Sequence, residues 1–341
     1  MAEEKSEKYT WRQLTSDIAD ALLKKDLETW SVASERFGAL AGVSIKRLRV
    51  GCFDFKVQYN PARVVSTTAK IDAETLRNRK CFLCREYRQV GQDAVRVICD
   101  GGEYDLIVNP FPIFNRHFTI VDDVHVRQHI EGRFIDMVSL AKSLCNHIVF
   151  YNGPKCGASA PDHLHFQAGN KGELPLQTDF DKLDRKVFYK TARTRLSYVV
   201  NFANGCFILE SHCRRDITRV FNLFMSVLPV KKGDWEPMMD ILVWFERTDN
   251  KRDPNLWRAA VFVRRQLRPS CYTAKGEKHL LVSPASVDFG GIFVTPRKED
   301  FDKITSGDIE KIFSEICITH RQSEDIIKTM KNTHTTKNKN T

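Results

Sequence analysis

The stretch His163-Leu164-His165-Phe166-Gln167 decides how the rest of this chain is interpreted. Side chains alternate across a β-strand, so the two histidines and the glutamine project from one face while the leucine and phenylalanine point into a core. Two imidazoles and an amide in a row are costly to bury without partners. The pattern therefore predicts a strand beginning at His163 whose polar face lines a functional site. The alternative is a solvated edge strand with incidental histidines.

A loop rich in glycine, proline and small residues spans 152–162 and leads directly into this strand. Gly153 and Gly157 allow backbone conformations that turn N–H groups inward to form a nest for phosphate oxygens, and Ser159 adds a hydroxyl donor. An imidazole beside such a nest is suited to attack phosphorus. An amide such as Gln167 can donate to a phosphate oxygen and stabilise the charged transition state. The loop and strand predict transfer chemistry at a histidine, and they leave open which of the two is the nucleophile.

A second motif is the pair Cys81 and Cys84, which are separated by two residues. Two thiolates at this spacing can bind zinc, which prefers four ligands in a tetrahedron. The sequence has no second pair of this kind, so the remaining ligands must come from elsewhere, and His125 and His163 are our choices. The alternative is a pair of loop cysteines that binds no metal.

Residues 109–114 form an aromatic, proline-rich segment between two predicted strands. Asn109 and Phe111 could belong to a wall against which a base stacks. An ordinary turn with core phenylalanines explains the same segment equally well.

The composition indicates an intracellular globular protein. The chain has 341 residues, 42% of them hydrophobic, which suffices for a core and for two domains of ordinary size. It contains no run of about eighteen apolar residues that would predict a membrane span, and its charged N-terminus leads into no apolar signal core. Ten scattered cysteines indicate reduced thiols rather than a disulfide framework. We therefore expect a cytoplasmic location and no membrane partner.

The formal net charge is +10. Part of this charge lies in a polar C-terminal tail that we expect to be disordered, and the remainder suits an anionic ligand such as a phosphate ester. Nucleic acid is the rival ligand, but the sequence has no helix-turn-helix or ribonucleoprotein signature, and its basic residues are spread rather than striped. We expect no nucleic acid partner.

Periodicity predicts helices and strands in both halves of the chain, and hence an α+β fold. An N-terminal helical segment, the half with the histidine strand, a second half and a disordered tail are predicted at residues 1–42, 43–175, 176–325 and 326–341. The halves could be duplicates, because residues 108–110 followed by 118–120 resemble 282–284 followed by 292–294 at the same offset. Two short hairpins could also match by chance.

These motifs together resemble the histidine triad (HIT) superfamily, in the branch of transferases and phosphorylases that has His-x-His-x-Gln. That branch includes galactose-1-phosphate uridylyltransferase, diadenosine tetraphosphate phosphorylase and the GDP-hexose phosphorylases. Residues 163–167 are most similar to the plant GDP-L-galactose phosphorylase type, whereas 109–111 and 157–159 resemble the dinucleotide phosphorylases more. The chain as a whole, over residues 45–320, is similar to an uncharacterised DUF4922-like group of Bacteroides relatives.

The resemblance implies two HIT-like half-domains, each an antiparallel sheet with packed helices, and it assigns roles to individual residues. It makes His165 the nucleophile, which forms a covalent nucleotidyl-histidine intermediate, with Gln167 as its catalytic partner. It also implies a structural zinc ion with four ligands, Cys81, Cys84, His125 and His163. His117 lies close to the third of these in the sequence and is the alternative ligand.

The activity that this resemblance implies is that of a phosphorylase. The substrate would be a nucleoside diphosphate hexose, with GDP-hexose favoured, and phosphate would be the acceptor. The alternative is a phosphorylase of dinucleoside polyphosphates such as diadenosine tetraphosphate. A third hypothesis is a nucleotide-binding protein that has lost catalysis, against which the intact motif argues. Three residues separate Ser159 from His163, where the uridylyltransferases have two, which counts against that activity.

The expected partners are a nucleotide or nucleotide sugar and phosphate, and a homodimer is admitted because related enzymes pair through their sheets. The residues expected to contact substrate are Arg63, Lys70, Asn109, Phe111, Asn152, Gly153, Gly157 and Ser159. The cations expected to hold the acceptor phosphate are Lys56, Arg63, Lys70, Lys155 and Arg297.

Overall fold

Fourteen β-strands and eleven α-helices occur in the part of the chain that the computed structural model describes, residues 8–248, 252 and 255–337. The strands are β1 (Lys8–Thr10), β2 (Ser44–Val50), β3 (Phe53–Tyr59), β4 (Ala94–Ile98), β5 (Glu103–Val108), β6 (His117–Asp122), β7 (His147–Asn152), β8 (His165–Asn170), β9 (Arg185–Lys190), β10 (Thr194–Val199), β11 (Cys206–Ser211), β12 (Met239–Arg247), β13 (Asn255–Val263) and β14 (Ile292–Thr295). The helices are α1 (Ser16–Thr29), α2 (Ser31–Ala39), α3 (Val64–Thr67), α4 (Ala73–Asn78), α5 (Phe134–Ser143), α6 (Pro175–Thr178), α7 (Arg214–Met225), α8 (Ser286–Phe289), α9 (Lys298–Lys303), α10 (Ser306–Ile316) and α11 (His320–Lys337).

Eleven of the strands form one sheet in the order β1-β4-β5-β6-β8-β7-β12-β13-β11-β10-β9. Its neighbours are antiparallel, apart from the parallel pair β1 and β4 at one edge. β6 and β7 are buried along their whole length. Helices α1, α5 and α7 pack on one face of the sheet, and the small sheet β14-β3-β2 packs on the other. The α+β class predicted from the sequence is confirmed, and β8 lies in the interior of the sheet.

The two halves of the large sheet repeat one topology. The order β4-β5-β6-β8-β7 is matched from the opposite edge by β9-β10-β11-β13-β12, and a helix follows the third strand of each unit, α5 in one and α7 in the other. The units meet where β7 pairs with β12, with Phe150 opposite Leu242. This arrangement is the one expected of an internal duplication.

The sequence match that suggested a duplication, between residues 108–120 and 282–294, does not join equivalent strands of the two units. Residues 108–120 lie on β5 and β6, but residues 282–294 lead into β14, which belongs to the small sheet and runs parallel to β3. The counterpart of the first segment is the β10–β11 pair. The small sheet also joins residues 44–59 to residues 292–295, so it crosses the division predicted at residue 175.

The two ends of the chain differ from the predictions. The N-terminal segment is helical in α1 and α2, but Lys8–Thr10 also add a parallel strand to the sheet edge. The tail predicted to be disordered from residue 326 is helical to Lys337, because Ile326 and Met330, one helical turn apart, pack into the core. Residues 1–7 and 338–341 lie outside the described residues. No helix in the described ranges is long and apolar enough to cross a membrane.

Candidate active site

The histidine strand places its polar side chains toward a cavity of about 520 Å³. His165 and Gln167 line this cavity, whereas Leu164 and Phe166 are buried in the core on the other face, as the alternation predicted. His163 departs from the prediction. The strand begins at His165 rather than His163, and the His163 side chain turns toward the cysteine pair instead of lining the cavity.

His165 presents an unprotonated nitrogen to the cavity. Its Nδ1 lies 2.8 Å from the carbonyl oxygen of His163, which can only accept, so Nδ1 carries the proton and Nε2 holds the free lone pair. Burial lowers the pKa of His165 to about 4, so the imidazole is neutral at pH 7. By contrast, the Nε2 of His163 donates to the carbonyl oxygen of Asp122 at 2.9 Å. Of the two motif histidines, His165 has the geometry of a nucleophile.

Gln167 is held with its amide nitrogen facing the cavity. His117 accepts a hydrogen bond at Nδ1 from the backbone N–H of Ile113 at 3.1 Å, so its single proton is on Nε2, and this atom donates to Gln167 Oε1 at 3.1 Å. Asn109 Nδ2 lies 3.3 Å from the same oxygen. Burial lowers the pKa of His117 to about 3, so it stays neutral and keeps this pattern. With Oε1 occupied by two donors, the –NH2 group of Gln167 is left for a ligand.

The four residues predicted to bind a metal lie close together: Cys81, Cys84, His125 and His163. Their ligand atoms all lie within 4.8 Å of one another. Cys84 Sγ lies 3.1 Å from His125 Nδ1, and His163 Nδ1 lies 3.4 Å and 3.5 Å from the two sulfur atoms. Thiolate and imidazole ligands of one tetrahedral ion are about 3.3–3.8 Å apart. The hydrogen bond from His163 Nε2 to a carbonyl oxygen leaves Nδ1 to coordinate, as is usual around metal-bound histidines. These four residues fit a metal ion, whereas His117 is occupied by Gln167.

Most residues expected to contact substrate line the cavity: Arg63, Lys70, Asn109, Phe111, Asn152, Gly157 and Ser159. Gly153 does not. Its backbone N–H donates to the carbonyl oxygen of Met239 at 3.0 Å, so it cannot take part in a phosphate nest. Gly157 has φ of +98°, a conformation that favours glycine. The Phe111 ring has one face covered, because the Arg36 guanidinium lies 4.1 Å from its centroid.

The cations of the cavity differ from those expected. Three of the five cations expected to hold the acceptor phosphate do not line the cavity. Each forms an ion pair outside it: Lys56 with Glu173, Lys155 with Asp234, and Arg297 with Asp300. Arg63 and Lys70 do line the cavity.

Arg79 also lines the cavity and was missed. Its guanidinium donates to the Ser159 carbonyl oxygen at 3.2 Å and pairs with Asp162, while its buried Nε has no partner in the described part of the chain. Its position two residues before Cys81 was the one sequence signal available.

The second half of the chain supplies a wall of the site. Ser283, Ala285 and Asp288 line the cavity. Asn152 binds this wall, because its Oδ1 accepts from the backbone N–H of Ser286 at 3.0 Å and from its hydroxyl at 2.6 Å. Asn152 therefore fixes the junction between the halves, and its carboxamide oxygen is already used.

Comparison with known proteins agrees with this architecture. A family model described as "Domain of unknown function (DUF4922)" matches residues 22–170. No curated protein matches the chain. The structure of yeast Ap4A phosphorylase Apa2 in complex with AMP is similar at a TM-score of 0.51 and 15% identity, covering 87% of this chain and 96% of that one. The structure of the same yeast protein in complex with Ap4A gives a TM-score of 0.49 and 15% identity, and the match covers 87% of this chain and 97% of that one. The AMP complex shows that the two proteins share a fold, which confirms the resemblance to this branch at the level of fold.

Proposed function

We propose that this protein is an enzyme that transfers a nucleoside monophosphate from a nucleotide anhydride to a phosphate acceptor through His165. One observation carries the proposal. The free Nε2 of His165 and the oriented amide of Gln167 lie on one strand face and open into the same cavity. A nucleophile and a donor for the developing charge are the two groups that such a transfer requires.

The transfer would take place in two displacements. His165 Nε2 attacks the α-phosphorus, and the bond from that phosphorus to the bridging oxygen breaks, which releases the distal phosphate compound. The positive charge on the imidazole is stabilised by its Nδ1–H bond to the His163 carbonyl oxygen, 2.8 Å away. An oxygen of the acceptor phosphate then attacks the same phosphorus, and the P–N bond breaks to regenerate neutral His165.

The nature of Gln167 restricts the leaving group and the acceptor. An amide can hold a phosphate oxygen but cannot exchange a proton at neutral pH. The leaving group must therefore depart as a phosphate, which needs little protonation, and by microscopic reversibility the acceptor is also a phosphate. Arg63 and Lys70 supply positive charge at the cavity wall, where Arg79 also lies, paired with Asp162.

We assign zinc to the Cys81, Cys84, His125 and His163 cluster, because two thiolates and two imidazoles are the donor set this ion prefers. When bound there, the ion supplies structural cross-linking. This chain's own contribution is that His163 joins the cluster with its side chain and holds the His165 proton with its carbonyl oxygen. All ten cysteines are free, which supports a reducing compartment such as the cytoplasm.

The substrate we favour is a nucleoside diphosphate hexose, with GDP-hexose first, on the sequence similarity of the motif strand. A dinucleoside polyphosphate is the second candidate, and the shared fold with yeast Ap4A phosphorylase Apa2 supports it. Both substrates place a phosphate leaving group next to the α-phosphorus, so the geometry of His165 and Gln167 serves either one.

A comparison of substrates tests the function. A GDP-hexose mixed with phosphate should give GDP and hexose 1-phosphate, with saturable dependence on phosphate and parallel double-reciprocal lines. Faster conversion of a dinucleoside tetraphosphate into a nucleoside diphosphate and a triphosphate would promote the second candidate. Rapid release of nucleoside monophosphate in phosphate-free buffer would show that water is the acceptor and that the transferase proposal is wrong.

Replacing Gln167 with alanine should slow nucleotidyl transfer by about two to three orders of magnitude, as expected for the loss of one preorganised donor. Gln167→Glu is the matched variant, because it keeps the shape and the oxygen that His117 binds but removes the –NH2 group. The rate of adduct formation, measured by rapid quench, should fall in both variants, and at least as far in Gln167→Glu, because the carboxylate also places a negative charge beside the phosphate. A Gln167→Glu protein with the wild-type rate would mean that the amide does not donate to the reacting phosphate.

A further inference from the structure

The ladder between β7 and β8 ends before it reaches His165. The two strands pair from His147 opposite Asn170 to Phe150 opposite Gln167. Continuing this antiparallel register would place Asn152 opposite His165, yet these two residues are not a pair of the ladder. On its other side, β8 stays paired with β6 through Val121 opposite His165. The sheet is therefore open on one side at the residue we assign as the nucleophile.

The side chain of Gln128 occupies this opening. Its Oε1 accepts from the backbone N–H of His165 at 2.9 Å. Its Nε2 donates to the backbone carbonyl oxygens of His165 at 3.1 Å and of Asn152 at 2.9 Å. The residue is fully buried. One amide thus replaces the backbone hydrogen bonds that a His165–Asn152 pair would make, while it keeps the two strands apart.

The backbone around Gln128 is fixed by both halves of the chain. Its N–H donates to the Pro161 carbonyl oxygen at 3.0 Å, and its own carbonyl oxygen accepts from Trp235 Nε1 at 2.9 Å. Two residues along, the N–H of Ile130 donates to the buried carboxylate of Glu236 at 2.8 Å. Because both the backbone and the side-chain amide of Gln128 are hydrogen-bonded, the side chain is held in one position.

We infer that Gln128 is a positioning residue for His165, an inference that rests on the proposed function of that histidine. Its amide holds both backbone polar atoms of His165 and so fixes the direction in which the imidazole leaves the strand. It also sets the spacing between the backbones of Asn152 and His165, whose side chains both line the cavity. An amide is suited to this role, since it can both accept and donate: here its oxygen accepts one bond and its –NH2 group donates two.

Gln128→Met tests the inference, because methionine has a similar length and makes none of the three hydrogen bonds. The rate of nucleotidyl adduct formation should fall by about 100-fold, the loss expected from a displacement on the order of 1 Å at a reacting group. The nucleotide dissociation constant should stay near the wild-type value. Gln177→Met is the matched control, because Gln177 is also buried and bonds a backbone N–H, that of Gly172, but lies outside the cavity lining. It should keep the wild-type rate.

Metal content must equal that of the wild type in every variant compared, because His125 lies in the same loop as Gln128. An unchanged adduct rate in Gln128→Met, or a fall matched by an equal loss of nucleotide affinity, would overturn the inference. If Gln128→Met does not fold, Trp235→Phe removes only the bond to the Gln128 carbonyl oxygen from a partly exposed ring. It should then lower the adduct rate more than the affinity, and a wild-type rate would count against the inference.

A measurement without substrate separates this inference from the proposed function. In protein labelled with 15N-histidine, the resonances of His165, assigned by their loss in His165→Asn, should report the Nδ1–H tautomer. Gln128→Met should shift them toward a mixture of tautomers as the bond to the His163 carbonyl weakens, and Gln177→Met should not. Unchanged His165 resonances in Gln128→Met would refute the positioning role. A wild-type protein that forms no adduct would refute the proposed function and leave this measurement able to decide the role of Gln128.

Discussion

Replacement of His165 by asparagine is expected to abolish turnover, with a loss of more than about four orders of magnitude, as for other nucleophiles whose removal leaves only binding. The fold should survive, because the side chain faces the cavity and the asparagine amide can still donate to the His163 carbonyl oxygen. The wild type, incubated with labelled substrate, should form an acid-labile, alkali-stable nucleotidyl adduct that the variant lacks.

His147→Asn is the control for this experiment. His147 is also buried, but it lies at the far end of β7 and contacts Ser16 at 3.4 Å rather than lining the cavity. The folded His147→Asn protein should form the adduct at the wild-type rate. Full activity in His165→Asn would remove the nucleophile assignment, whatever the behaviour of the control.

The second large effect concerns the metal. The purified protein should contain about one zinc ion per chain, and Cys81→Ser should lose it. Loss of a metal site costs on the order of 5 kcal/mol, and each kcal/mol shifts the Tm of a domain this large by about 2 °C, so Tm should fall by about 10 °C. The Tm should be the more sensitive readout, because none of the four ligands lines the cavity; some loss of substrate affinity should accompany the loss of zinc, because Phe82 and Leu83, between the two cysteines, do line it.

Elemental analysis and thermal melts check this prediction, with Cys99→Ser as the control. Cys99 is buried to a similar extent but lies in the β4–β5 hairpin, outside the four-residue cluster. This variant should keep its zinc. A stable, active wild-type preparation without metal would make the cysteine pair a loop feature, which was the alternative in the sequence.

The lysines and arginines near the site show which features the sequence predicts and which depend on the tertiary structure. A lysine or arginine near a motif is a candidate for phosphate, and the sequence offered five. The structure pairs three of them with carboxylates away from the cavity and adds Arg79, which lines the cavity although it is itself paired with Asp162. Where a cation is held depends on which acidic residue folds next to it, and that partner can lie far along the chain, as Glu173 does from Lys56.

The sequence by itself determined the features that depend on neighbours along the chain. The period of two in a strand put His165 and Gln167 on one face, and the spacing of Cys81 and Cys84 indicated a metal pair, because both are local properties of the backbone. Apolar periodicity also sufficed for the α+β class.

Only the tertiary structure decided the features that join distant segments. Cys81 meets His163 across 82 positions, and Trp235 fixes the Gln128 backbone across 107. The β7–β12 pairing merges the two units into one sheet. No local pattern encodes such contacts, since their free energy comes from burial and from hydrogen bonds that form when the sheet closes. For that reason the His163 side chain turns away from the strand face, and Gln128, which no sequence pattern marks, holds the backbone of His165.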